Sequence, residues 1–210
     1  MRLFALQRKF DEAWTDVDFE RMMRRSIGGL HWDPPIFWRR SFGVDLPGPV
    51  VGFCVYETDS IKTIREHQNI CWVPFTEARE VEEACGAASG HGRSEVPDGF
   101  SLFLVERTFE RPCSLPGLTQ ANAAAQTDMA VWVRSFWDAE RRTARCIFAA
   151  CNAEAVGAAI KETPATEVAI SPVLEEHPSA WAEVYDQAGV PKSWETDSAA
   201  APKTGSAASV

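Results

Sequence analysis

No run of apolar residues in this sequence approaches the roughly 20 needed to span a bilayer, so a membrane is not an expected partner. Positive charge is the next shortage. Lys and Arg number 21 against 30 Asp and Glu, a formal net charge of −9. Non-specific binding to nucleic acid needs concentrated positive charge, so nucleic acid is excluded as a partner too. The six cysteines contain no CxxC and lack the spacing of a small disulfide scaffold. They are read as reduced thiols of a cytoplasmic protein. The opening MRLFALQRKF has only a short apolar run before its charges, which excludes a signal peptide. Motifs for a Ser-His-Asp triad, a P-loop or a Rossmann turn are missing. Histidine is scarce: His31, His67, His91 and His177 are the full set.

What is present is an ordinary folded composition, 45% apolar and 24% charged, with enough material for a core. It is also repeated. LFALQRKF at 3–10 returns as LFLVERTF at 102–109, and IFWRRSFG at 36–43 as VWVRSFWD at 131–138. GFCVYETDSIKTI at 52–64 returns as ARCIFAACNAEAV at 144–156, and VPFTEA at 73–78 as TPATEV at 163–168. The order is kept while the offset falls from 99 to 90, the mark of loop insertions and deletions on a duplicated fold.

Taken in order, residues 3–10 alternate as a strand. Phe19, Met22, Met23, Ser26 and Ile27 follow at helical spacing, with Thr15 or Asp16 to cap and Gly28-Gly29 to stop. HWDPP at 31–35 turns the chain, and strands are expected over 36–42 and 50–57. A helix over 61–68 and a short strand at 77–82 complete a βαββαβ unit, the ferredoxin-like order. Residues 84–98, small and glycine-rich, read as a linker. The second unit repeats the order, with strands at 101–109, 130–137, 143–150 and 166–173 and helices near 116–128 and 152–162. The expected division is 1–83, linker 84–98, 99–175, a helical extension 176–195 and a disordered tail 196–210. The fold class is therefore α+β: two tandem ferredoxin-like units packed sheet to sheet as an intrachain dimeric α+β barrel.

In sequence the chain resembles a bacterial family of small ferredoxin-like proteins, some called nickel-binding proteins, in the dimeric α+β barrel superfamily. The resemblance lies in Phe103-Leu104-Val105-Glu106-Arg107 with Phe109, weakened to Gln7-Arg8 and Phe10 in the first copy. It continues in Trp38 with Ser41-Phe42, Trp132 with Ser135-Phe136, Cys54 with Tyr56, and Cys146 with Phe148. Arg65-Glu66-His67 has no counterpart in the second copy, where Ala159 stands in place of histidine. The resemblance implies a transition metal such as nickel as cofactor, with His67 the one histidine on a family position; by side-chain chemistry His67 with Glu66, Cys54 and Cys71 is the best metal candidate. Imidazole and thiolate suit nickel, copper or zinc; the plainer alternative is a helix-surface histidine above core thiols.

Strand alternation places Trp38, Arg40 and Phe42 on one face, and Trp132, Arg134 and Phe136 on its repeat. Arg8 and Arg107 lie between aromatics in the same way. Such an arginine is either an anion clamp facing a cavity or one satisfied at the surface by a carboxylate such as Glu106. Arg40, Arg134, Trp38, Trp132, Arg8, Arg107 and Glu106 are the candidate ligand-binding residues. The leading expectation is a small-ligand or transition-metal binding protein with a cavity between its repeats. The alternative is an enzyme, an oxygenase, isomerase or cyclase, acting on an aromatic or acidic small molecule in that cavity. A third reading is an interaction module using the tail or exposed tryptophans. The repeats form a pseudo-dimer within one chain, with further oligomerisation left open.

Overall fold

Alternation along the first strand decides which side of the sheet each residue serves. β1 (Arg2–Trp14) sends Phe4 and Leu6 to one face and Ala5 to the other. In the computed structural model, which describes residues 1–30, 33–43, 48–89, 94–110, 113–138, 140, 142–161, 165–192 and 194, these two faces meet different cores. β1 is followed by α1 (Asp16–Gly28), β2 (Phe37–Gly43), β3 (Gly48–Thr58), α2 (Ile61–Ile70) and β4 (Glu77–Cys85). The same order returns as β5 (Ser101–Thr108), α3 (Leu115–Ala124), β6 (Ala130–Asp138), β7 (Thr143–Ala150), α4 (Ala153–Ile160) and β8 (Glu167–Glu176). α5 (Ala182–Ala188) follows the 3₁₀ turn Pro178–Trp181.

The fold is α+β, with eight antiparallel strands closed into a barrel in the order β1-β3-β2-β8-β5-β7-β6-β4. Each half has its first strand beside its third and fourth. The halves join through short ladders, Ser41–Gly43 with Leu174–Glu176 and Glu82–Cys85 with Arg134–Trp137. Inside the barrel, Ala5, Phe42, Phe53, Val55, Leu104, Val133, Phe136 and Ile147 form one core. Outside it, α1 and α2 cover the first half, and α3 and α4 the second. Each of these four helices starts on a side-chain cap. Thr15 and Asp18 form a capping box on α1, and Ser60, Ser114 and Asn152 cap α2, α3 and α4.

Two β-bulges change the expected facing. Trp38 pairs with Tyr56 but Arg40 with Val55, and likewise Trp132 with Phe148 but Arg134 with Ile147. One extra residue, Arg39 or Val133, sits in each strand, so residues two apart land on opposite faces. Trp38 and Trp132 point to the helices, while Arg40 and Arg134 point into the barrel. The expectation of tryptophan and arginine on a common face is corrected on that ground.

Other boundaries moved for physical reasons. β4 runs on through Ala84 and Cys85, assigned to the linker from composition, because they pair with Ser135 and Arg134. β1 continues to Trp14 through an irregularity between Phe10 and Ala13. α3 ends at Ala124, where Thr127 and Ala130 form an isolated bridge. Trp181 meets Phe19 at 6.2 Å, fixing the C-terminal extension against α1. The tail 196–210, His31 and His91 lie outside the described residues. No helix among the described residues is long and apolar enough to cross a membrane.

Candidate functional site

The barrel interior, expected as a cavity, is filled. Phe42, Phe53 and Phe136 pack with ring centroids 5.2 to 6.1 Å apart. Beside them lies a charged layer. Arg40 pairs with Glu175 at 3.0 Å and Arg134 with Glu83 at 2.7 Å. Arg134 also donates to the Ser89 carbonyl, and Glu175 accepts the Ser94 N–H. Burial first, and the Arg134 charge second, pull the Arg40 guanidinium below its usual range. The two arginines do converge, but protein carboxylates meet them where a bound acid was expected. Glu106 is not among these; it pairs with Arg145 at 3.1 Å nearer one barrel end.

The open chemistry lies on the other face of the first sheet. Arg8 comes from β1, Ser41 from β2 and Cys54 from β3, and all three face α1 because they share strand phase with Leu6 and Tyr56. Met22, Met23 and Phe19 of α1 form the opposite wall, with Gly43, Gly52 and Leu174 at the side. The resulting cleft has a volume of about 180 Å³, below the roughly 300–1,000 Å³ of drug-sized sites. It suits a molecule of one or two rings. Asp16 and Glu176 line its rim.

Arg8 is 4% exposed. It donates from Nε to the Cys54 sulfur at 3.1 Å, from Nη2 to Gln68 Oε1 at 2.9 Å, and to the Pro74 carbonyl. Burial opposes its charge, but Cys54 and Tyr56 more than offset that, so its pKa lies above the ordinary arginine value. Ser41 Oγ accepts the Trp38 indole N–H at 3.0 Å.

The second half repeats this apparatus and then blocks it. Arg107 donates to the Cys146 sulfur at 3.2 Å, and Trp132 to Ser135 Oγ at 3.0 Å. Over them sits Asn122 of α3, fully buried. Its Oδ1 takes a hydrogen bond from Arg107, and its Nδ2 donates to Ser135 Oγ at 2.9 Å and contacts Cys146 at 3.6 Å. Asn122 lies eight residues beyond the Ser114 cap, as Met23 lies eight beyond Thr15. Methionine cannot bridge a guanidinium and a hydroxyl, and the first half keeps its cleft.

The metal expectation is corrected. His67 is buried, not on the helix surface, and both its ring nitrogens are engaged. Arg8 can only donate, so Gln68 must turn its oxygen to Arg8 and its amide nitrogen to His67 Nδ1 at 2.8 Å. His67 Nε2–H then donates to the Ser26 carbonyl at 2.9 Å. Burial holds the imidazole below its usual pKa, against the Ser26 hydrogen bond and with help from the Arg8 charge. Glu66 faces solvent with Lys62 at 3.5 Å, and Cys54 is taken by Arg8. Among the described residues no group of three or more His, Cys, Asp and Glu is placed to hold a metal.

No protein-family model matches the chain, and no curated protein matches its sequence. Two solved structures are similar, each at 12% identity with a TM-score of 0.43. One, from Lactobacillus acidophilus NCFM, is described as a "putative monooxygenase"; 83% of this chain and 94% of that one are covered. The other is described as an anthrone oxidase-like protein, with 84% and 93% covered. Similarity at this level carries no conclusion about activity. Both descriptions name oxidative enzymes, and neither names a nickel-binding protein, the reading corrected above.

Of the residues expected to bind ligand, Arg8 alone lines the cleft. Arg107 is buried under Asn122, Arg40 and Arg134 lie in the barrel, and Trp38 and Trp132 support Ser41 and Ser135. Met22, Met23, Gln68 and Asn122 were missed as site residues. Setting the two helices against each other from their caps would have shown the Met23–Asn122 contrast. A larger groove of about 550 Å³ runs along β4. Four of its charges pair with one another, Arg2 with Glu80 and Arg79 with Glu77, each at 2.8 Å.

Proposed function

We propose that this protein is an enzyme acting on a flat aromatic small molecule in the α1 cleft, with Arg8 holding the oxygen on which negative charge develops. The observation that carries this reading is a buried guanidinium on the floor of an apolar cleft, fixed from behind by Cys54 and Gln68. For an aromatic compound with an acidic C–H or O–H conjugated to its ring, oxygenation by dioxygen, isomerisation and cyclisation can all start from loss of that proton to leave a resonance-stabilised anion. A preorganised cation in a water-poor site stabilises that anion far better than solvent does. The proton departs toward the rim, where Asp16 and Glu176 stand. The same reading takes the two halves as a tandem repeat, an intrachain dimeric α+β barrel in which one of two equivalent sites stays open. The repeated element order, bulges and Arg–Cys and Trp–Ser hydrogen bonds support it.

The test is a chromophoric naphthol titrated with protein across pH. Binding in the cleft is expected to lower the probe's apparent pKa by at least about one unit, a tenfold preference for the anion. Arg8→Gln, checked for cooperative unfolding, should abolish the shift. Met22→Trp should block binding while leaving Arg8 in place. A probe that fails to bind, binds in its neutral form, or titrates identically in Arg8→Gln overturns the assignment.

A further inference from the structure

The second half records what the first half's site is shaped to hold. Two sets of three residues stand in equivalent register: Arg8, Ser41 and Cys54 in one, Arg107, Ser135 and Cys146 in the other. Each arginine holds its cysteine sulfur, Arg8 through Nε at 3.1 Å and Arg107 through Nη2 at 3.2 Å, and each tryptophan holds its serine at 3.0 Å; Arg8 Nη2 meets Gln68 from behind. The second set is occupied by the carboxamide of Asn122. Because guanidinium only donates, the carbonyl oxygen must face Arg107, which sends the N–H to Ser135 Oγ at 2.9 Å. In the first set, among the described residues, Ser41 Oγ takes only the indole N–H of Trp38, and a hydroxyl oxygen has two lone pairs. Met23 leaves the remaining position open to the cleft.

We infer that the substrate of the α1 cleft presents a carboxamide-type head, a carbonyl oxygen to Arg8 and the adjacent N–H to Ser41 Oγ, as an aryl carboxamide or a ring lactam does. This rests on the cleft being the active site. It adds a requirement which that reading lacks: a donor beside the acceptor. A carboxylate satisfies Arg8 but offers Ser41 no proton, and a dialkyl amide offers none either. Aromatic bulk belongs against Met22 and Phe19, the apolar wall that α1 supplies. Polarisation of the carbonyl by Arg8 is the same electrostatic role assigned above.

Calorimetric titration of the whole chain with 2-naphthamide, N,N-dimethyl-2-naphthamide, 2-naphthoate and the two-ring lactam 1-isoquinolinone tests the inference. The primary amide or the lactam should bind at least tenfold more tightly than the dimethyl amide and the carboxylate, and whichever of the two is tighter identifies the source of the head group. Ser41→Ala should erase that preference without removing residual binding. Met23→Asn supplies the first half with its own internal carboxamide and should abolish binding while the thermal midpoint holds or rises. Equal binding of primary and dimethyl amides, or Met23→Asn binding like wild type, overturns the head-group assignment. Arg8-dependent binding of naphthoate above all amides does the same, yet leaves the cleft as the active site. Binding of none of these compounds removes both.

Discussion

Replacing Glu175 by glutamine isolates a single charge in the barrel. The substitution keeps the side-chain shape but removes the anion that meets Arg40 at 3.0 Å, and leaves one acceptor oxygen for two donors, Arg40 and the Ser94 N–H, so one neutral hydrogen bond survives. Arg40 and Glu175 have side chains 11% and 1% exposed, so solvent screens the pair weakly. Unit charges about 4 Å apart at an effective dielectric near 20 attract by about 4 kcal/mol. Returning roughly 1 kcal/mol for the retained neutral hydrogen bond leaves a loss of about 3 kcal/mol. That lies at the low end of values for breaking a buried pair from one side. Arg134, which already lowers the Arg40 pKa, opposes any relief, while Glu83 shares some of the load. Urea unfolding followed by tryptophan fluorescence reads the change at constant slope. The double substitution Arg40→Met with Glu175→Gln should recover most of the loss, since the uncompensated cation is then gone. A loss under about 1 kcal/mol for the single variant, or no recovery in the double, would refute the reasoning.

Two further outcomes are expected. His67 is held below its ordinary pKa of about 6.5 by burial, so the unfolded chain binds its proton first as pH falls. Its contribution to stability is full above pH about 6.5 and is lost below it, with a slope of at most about 1.4 kcal/mol per pH unit; urea midpoints from pH 8 to 5 should fall less steeply in His67→Asn. Gly29→Ala would place a methyl 2.3 Å from the Cys71 sulfur and 3.1 Å from the His67 ring. A cost of about 1–3 kcal/mol is expected, with partial recovery on adding Cys71→Ala, measured by the same unfolding curves.

Much of the fold was legible because its cause is local. The alternation of Phe4, Ala5 and Leu6 assigns a strand and its two faces, and Thr15 and Ser60 announce helices by their caps. The bulges were not legible. Neither Arg39 nor Val133 differs from an ordinary strand residue, and only pairing with Tyr56 and Val55, or Phe148 and Ile147, shows that one residue is supernumerary. That single step moved both tryptophans away from the arginines. The same limit governs Ala84 and Cys85, whose small side chains read as linker until a distant strand pairs with them. At the site, strand phase offered Arg8 only as one of four arginines, and nothing in one helix taken alone shows that Met23 leaves room. His67 misled because a histidine in an exposed-looking helix motif is buried by Gly29, whose missing side chain lets Cys71 and the ring close in.

The contrast between Met23 and Asn122 has a genetic side. When two identical subunits build such a barrel, every codon is read into both, and a residue that fills one site fills its mate. On the proposed tandem reading, having both halves on one chain breaks that coupling. A codon change at position 122 can wedge α3 firmly onto its sheet while position 23 stays free to answer to a ligand. One half can then drift toward rigidity and the other toward chemistry, each under its own selection, inside a single closed ring of strands.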